Sequence, residues 1–399
     1  MQNIPLRRLF VGLMALVLSV AMLRANTDYY FKQVAFEQGL SQSTALCATT
    51  DSRGYLWIGT RNGLNRYDQS GMRQYLHHPG DSLSLPQGRI LFVVEDREQT
   101  LWVATEHHLS RFDRTTEQFE PVRIGSQLVR VGGYLAQSDN ILFCGSDALF
   151  CYSYLSHQLR RLQLPVGKPS STLFNSIIRL TDDRYLLSSR WNGLWEYNPQ
   201  AATLRPSKIY ADKDIMAIAL DSRGRIWLSP YGRGVRCYSL SGRLIAEYTT
   251  ANSDLSNDIV LCIAEREGDI WLGTDGGGIN IITSESDSIE HLMPEPGNVY
   301  SFPANSVISL YRDARSNMWA GSIRGGLIGI KEVYVKSYRD VALGSGYGLS
   351  DKTVLSLCAD KHDVWIGTDG GGVNRLTPAG ESFRHYPGTY GDKVVSLAE

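Results

Sequence analysis

Asp51-Ser-Arg-Gly54-Tyr-Leu-Trp57-Ile-Gly-Thr60 is the stretch that decides the fold. An aspartate can bond backbone groups inside a tight turn, and a glycine three residues later tolerates the positive φ a hairpin needs. The run that follows is short, apolar and bounded by turn residues, which marks a strand and not a helix. The stretch returns as Asp221-Ser-Arg-Gly224-Arg-Ile-Trp227, and again over Glu265–Thr274 with Gly268 and Trp271. Looser copies centre on Trp102, Trp319 and Trp365, and two degenerate copies put Leu142 and Leu186 where tryptophan otherwise sits. The mean spacing of these eight positions is about 44 residues.

Each copy reads as four short strands. In the first they are 45–50, 56–60, 64–67 and 72–76. A four-stranded unit of roughly 40–50 residues is the period of a propeller blade. The second strand, as in Leu56-Trp57-Ile58, is apolar at consecutive positions, which fits a strand covered on both faces by neighbouring blades. Burying one indole removes about 200 Å² from water, an upper bound of roughly 5 kcal/mol each. The expected fold class is all-β: a seven-bladed β-propeller of four-stranded blades, followed by the start of a second propeller.

Composition sets the function classes. The 399 residues carry a net charge of -1 and show no basic cluster, which excludes nucleic acid as a partner. Arg7 and Arg8 followed by an uncharged apolar stretch to Leu23 read as a signal peptide over residues 1–25. Fifteen helical residues span only about 22 Å of a hydrocarbon core about 30 Å thick, so cleavage is favoured over permanent anchoring. Membrane attachment is then expected only through an uncleaved signal or a C-terminal part beyond this sequence. Six cysteines show no C-x-x-C spacing. Cys47, Cys262 and Cys358 sit in first strands and read as buried thiols, while Cys144 and Cys151 flank a turn and leave a disulfide open.

These repeats resemble the two-component regulator propeller repeats found in the extracytoplasmic half of hybrid two-component sensors. The matching residues are Gly39-Leu40-Ser41, Asp51–Gly54, Leu56–Thr60, Gly63–Asp68, Trp271–Gly278 and Trp365–Gly372. The resemblance implies two seven-bladed propellers, an immunoglobulin-like domain, a membrane helix and a histidine kinase, with glycan breakdown products as ligands. It also leaves a homodimer of such a full-length parent open. The sequence departs from that plan by stopping at Glu399, in what reads as the opening strand of another repeat. Gly39-Leu-Ser41 and Gly348-Leu-Ser350 read as an opener that no other repeat shares. The expected domains are therefore a signal peptide (1–25), a seven-bladed propeller (26–335) and the beginning of a truncated second propeller (336–399). Tyr29–Val34 is expected to supply the strand that blade 7 lacks.

Chemistry-bearing constellations are sparse. His77-His78 and His107-His108 would face opposite ways on a strand, and neither has metal-ligand spacing. No metal and no cofactor is expected. Asp275 and Asp369 follow equivalent strands, but a repeated Thr-Asp-Gly-Gly-Gly is accounted for by turn geometry before glycoside chemistry. The residues just after the second strand vary most: Arg61, Asn62, Arg190, Trp191, Tyr231, Arg233, Asp275 and Arg324. Such turns gather at one end of a propeller, where function lives on a rigid scaffold. Arginine, aromatic and carboxylate groups suit sugars, and arginine suits acidic ones. The chain thus reads as a periplasmic, glycan-sensing, non-catalytic propeller. An exported polysaccharide lyase or glycoside hydrolase, or a pure interaction scaffold, is the alternative.

Overall fold

The computed structural model describes residues 28–68, 70–145, 148–163, 173–298, 300–333, 338, 340–341, 347–377 and 382–397. The signal segment and the 335/336 boundary expected from the sequence lie outside them. Among the described residues the strands form eight four-stranded sheets and one two-stranded ribbon, Arg123–Ile124 with Gln127–Leu128. The ribbon was not foreseen.

Seven of the sheets build the unit formed by Phe31–Glu295 and Ser301–Ile330. They are blades 1 to 7, over residues 45–75, 90–121, 131–163, 176–206, 215–248, 260–292 and 307–333. Blade 7 has three strands from its own repeat, and Asp28–Val34 lies beside Leu327–Val333 as the fourth. First strands of successive blades pack together in order, and that of blade 7 packs on that of blade 1, closing the ring. Closure removes a sheet edge and ties the early and late parts of the ring together.

All eight period positions fall on second strands, Leu142 and Leu186 included. In blade 1 the strands are Ala45–Thr50, Leu56–Thr60, Leu64–Tyr67 and Met72–Tyr75, one residue from the sequence reading. Every residue of Leu56–Thr60, Leu101–Thr105 and Ile226–Pro230 is buried. The core is a series of wedges between blades. Trp57 packs with Leu64, Tyr75, Ile90, Leu101 and Phe112, which come from blades 1 and 2. Its ring centroid lies 5.1 Å from that of Phe112 at 69°, an edge contact. The glycine of Trp-Ile-Gly-Thr has a packing reason. A Cβ on Gly59 would lie 2.5 Å from Cys47 Sγ and 2.6 Å from Ile90 Cγ2.

The structure gives one motif a contact and closes one alternative that the sequence left open. The serine of the Gly-Leu-Ser opener is one of three that bond a third-strand asparagine. Ser41 N donates to Asn65 Oδ1 at 2.9 Å, Ser350 N to Asn374 Oδ1 at 2.9 Å, and Ser256 N of Leu255-Ser256 to Asn280 Oδ1 at 2.9 Å. The bond clamps a blade's inlet to its third strand. Cys144 and Cys151 do not face each other. Cys144 opposes Leu149, Cys151 opposes Leu142, and both are free thiols. Burial pushes the Cys144 thiol up to about 12, and does the same to Cys47 and Cys262.

The eighth sheet (Val354–Ala359, Val364–Thr368, Val373–Thr377, Ser382–His385) lies in the other unit. Leu349, Ile366, Leu376 and Phe383 form its core, with Tyr338 against Phe383 at 4.9 Å. Its first strand is unlike those of the ring: Val354 is 42% exposed and Leu357 66%. Val394 N donates to Thr368 O at 3.1 Å, and Ser356 Oγ donates to Val394 O at 2.8 Å.

Candidate functional site

Antiparallel strands put the second-to-third-strand turns of a blade at the same end as its connections to neighbouring blades. Cross-blade bonds show this end directly. Gly234 N donates to Asp258 O at 2.9 Å, Gly278 N to Asn305 O at 2.7 Å, and Gly326 N to Ser43 O at 2.9 Å. Each bond ties a turn to the inlet of the next blade. The eight candidate residues all lie in these turns and all are exposed.

The structure spreads them over blades 1, 4, 5, 6 and 7. Arg61 and Asn62 lie on blade 1, where Asn62 N donates to Thr60 Oγ1 at 3.2 Å. Arg324 lies on blade 7. Asp275, on blade 6, accepts from Ser306 Oγ at 2.8 Å, and its carbonyl accepts from Asn257 Nδ2 at 2.8 Å. These residues define the turn end but not a shared recess.

Blades 4 and 5 bring four candidates together. The segment joining them, residues 207–214, is touched from both sides. A Cβ on Gly193 would meet Asp212 O at 2.8 Å, so the Trp191 turn abuts this segment. From the other side Tyr231 N donates to Asp214 O at 2.8 Å, and Arg233 Nη1 pairs with Asp212 Oδ2 at 2.5 Å. Trp191 is 66% exposed and Tyr231 50% exposed. The Arg190 guanidinium lies 5.1 Å from the Trp191 ring centroid, a cation–π contact that limits where the indole can turn. Hydrogen bonding to Asp212 raises the Arg233 guanidinium further above its ordinary range. The chemistry available is two aromatic faces flanked by guanidinium and carboxylate groups.

The histidine pairs are in loops and not on strands. His77, His107 and His108 line a cavity of about 440 Å³ with Asp81 and Arg130. His77 Nδ1 is 3.0 Å from Leu85 O, and burial, followed by the charges of His107 and Arg123, lowers the His108 pKa. No group of three or more His, Cys, Asp or Glu among the described residues could hold a metal ion. A second cavity of about 440 Å³ opens at the opposite end of the ring, between blades 4 and 5. Sequence reasoning missed it, because its residues come from three separate turns and one blade-to-blade connection.

That opposite end carries the Asp-x-x-Gly turns, whose geometry is structural. Asp51 Oδ1 accepts from Arg53 N at 3.0 Å and Tyr55 N at 2.9 Å. Arg114 of blade 2 reaches Asp51 Oδ2 at 2.7 Å and Glu95 Oε1 at 2.6 Å, joining blades 1 and 2. Ser52 N donates to Glu95 Oε2 at 2.6 Å, and Ser222 N repeats the contact on Glu265 at 2.8 Å between blades 5 and 6.

Comparison with known proteins agrees with this architecture. The sequence model described as "Two component regulator propeller" matches residues 39–62 and 254–276. A histidine kinase P4 of Formosa agariphila is 37% identical over 68 residues, which is 17% of this chain and 5% of that protein. The extracellular domain of a putative hybrid two component system from B. thetaiotaomicron superposes with a TM-score of 0.69 at 22% identity, over 90% of this chain and 49% of that one. That of a putative one component system from B. thetaiotaomicron gives 0.61 at 20%, over 90% and 54%. The WD40 propeller domain of Doa1 gives 0.56 at 13% identity, over 77% and 98%. The chain spans about half the length of the two extracellular domains it matches. It is an all-β propeller chain, two stretches of which match the two-component regulator propeller model.

Proposed function

We propose that this chain is the ligand-sensing propeller portion of a two-component signalling protein, acting outside the cytoplasm, and that it binds an oligosaccharide without cleaving it. The observation that carries the reading is the placement of exposed Trp191 and Tyr231 on either side of one inter-blade segment, with Arg190 and Arg233 beside them. Sugar rings stack their C–H faces on such aromatics, while guanidinium and carboxylate groups take hydroxyls and any acidic substituent. The fold and repeat matches to sensor-type proteins support it. Binding without hydrolysis is supported by the two aspartates a glycosidase reading would use. Asp275 is held by Ser306, while Asp369 is ion-paired with Lys393 at 3.0 Å and belongs to the other unit.

The test is a thermal-shift screen of the exported protein against neutral and uronate-containing oligosaccharides, with the products analysed by chromatography. At least one oligosaccharide should raise the unfolding temperature and be recovered intact. Cleavage products, or no shift with any oligosaccharide, would overturn the proposal.

A further inference from the structure

The cavity between blades 4 and 5 lies at the end of the ring away from Trp191 and Tyr231. Arg184 opens the second strand of blade 4 (Arg184–Ser189), and the Trp191 turn follows the same strand. Five residue steps at about 3.3 Å separate the two ends by roughly 16 Å. The two recesses therefore open at different ends, and Lys208 and Ile209 of the cavity belong to the same 207–214 connection that the Trp191 and Tyr231 turns flank.

Its charge is not balanced. Arg184, Arg205 and Lys208 line it together with Asp183 and Glu196. Glu196 is 8% exposed and is bonded by both arginines: Arg184 Nε holds Oε1, and Arg205 Nη2 lies 3.3 Å from Oε2. Arg184 Nη1 also donates to Leu240 O at 2.7 Å. A guanidinium offers five N–H donors, so one carboxylate and one carbonyl leave most of the two forks unused. Lys208 is exposed and forms no ion pair among the described residues. Asp183 Oδ1 already accepts from Thr181 Oγ1 at 2.7 Å. Three cations against two carboxylates leave one positive charge in a recess.

A blade contact that served only as cement would need one guanidinium per carboxylate and no cavity. We infer that this recess is an anion-binding site, taking the carboxylate, sulfate or phosphate group of a small ligand on Lys208, Arg205 and the free edge of Arg184. Buried Glu196 is a positioning residue: it holds both guanidinium groups at the wall and cancels one of their charges, which sets the site's preference for a compact anion over a polyanion. A ligand here would bridge blades 4 and 5 at the end opposite the oligosaccharide, so it could tune the ring without competing for the sugar site.

The experiment is equilibrium dialysis of the full chain at low ionic strength against phosphate, sulfate and acetate in turn, which also tells the three anion classes apart. Saturable binding of at least one at millimolar concentration is expected. It should weaken by roughly tenfold or more in Lys208→Met and in Arg205→Gln, the loss of one charge-assisted bond. Lys208→Arg should retain it, and so should Arg61→Gln at the other end. Lys208 is exposed, so its variants report on the site and not on folding. No saturable binding of any of the three, or binding unchanged in Lys208→Met, would overturn the inference.

Discussion

The Trp57 indole Nε1 donates to Asp51 Oδ2 at 2.8 Å, six residues back across the hairpin turn. The pair recurs as Trp102 on Asp96 at 2.7 Å, Trp227 on Asp221 at 2.9 Å, Trp319 on Asp313 at 3.2 Å and Trp365 on Asp360 at 2.9 Å. The same aspartate closes the turn with one oxygen and satisfies the buried indole with the other. That explains why the tryptophan can be fully buried: its one polar atom has a partner built into its own hairpin.

Removing that carboxylate should therefore cost more than a turn residue does. Asp51→Ala leaves the Trp57 N–H unpaired in the core and takes a partner from Arg114, for a loss of about 3 kcal/mol. Trp57→Phe removes the donor but leaves Asp51 its Arg114 and backbone bonds, yet it also loses packing against Phe112, so the cost is about 2–3 kcal/mol. Urea denaturation of both single variants and the double variant gives the coupling. A double variant equal to the sum of the singles would show that the pair is not a unit.

Gly59 tests the wedge between blades. A side chain there meets Cys47 Sγ and Ile90 before it meets solvent. Gly59→Ala should cost about 1–3 kcal/mol by overpacking. Gly54→Ala, with open space around it but φ of +84°, should cost about 1 kcal/mol through backbone strain alone. Urea midpoints of the two variants check the order, and a larger loss at Gly54 would contradict this account of blade packing.

The blade period, the strand bounds and the exposed turn end were legible because a strand covered on both faces leaves an unbroken apolar run, and because turns need aspartate and glycine. Leu142 and Leu186 could be placed without tryptophan because spacing alone identified them. What the sequence hid lies between repeats. Asn65 reaching Ser41, and Glu95 reaching Ser52 and Arg114, depend on which blade faces which, and local patterning does not carry that. The role of the opener's serine was hidden for the same reason: it contacts a distant asparagine, and Ser256 makes the same contact with Asn280. Among candidate site residues, the turns were placed by pattern. The approach of the Trp191 and Tyr231 turns to one segment needed the ring.

Two copies of the Asp turn hold a non-glycine residue at positive φ in the glycine's place, and these are places to gain stability. Gln99 has φ of 64° and Ser316 φ of 61°, where a Cβ is strained. Gln99→Gly and Ser316→Gly should each stabilise by about 0.5–1 kcal/mol. Calorimetry of the single variants should show raised unfolding temperatures; a lowered one would mean that the glycine's unfolded-chain entropy outweighs the relieved strain.

The Asp–Trp pairs also set an acid limit. Burial disfavours the Asp221 charge but is outweighed by bonds from the Trp227 indole and from Arg225, so its pKa is lowered; at Asp313, Asn317 and Trp319 do the same against burial. Asp360, bonded first by the Trp365 indole, is lowered to about 2. A folded-state pKa below that of the unfolded chain means the stabilisation is complete above about pH 4 and is lost as pH falls toward the folded value. The urea midpoint should hold level from about pH 6 to about 4 and drop below it. Asp313→Asn should flatten that drop, and an unchanged slope would remove these carboxylates from the explanation.

Whether the turn end of blades 4 and 5 holds the ligand is decided by isothermal titration calorimetry of the oligosaccharide that gives the largest thermal shift, on the unaltered protein and on Trp191→Ala. Trp191 is exposed, so its removal leaves the ring intact. Loss of one aromatic stacking face should weaken binding by roughly tenfold, about 1–2 kcal/mol, with the unfolding temperature of the free protein unchanged. Equal affinity in Trp191→Ala would place the oligosaccharide elsewhere and contradict the proposal.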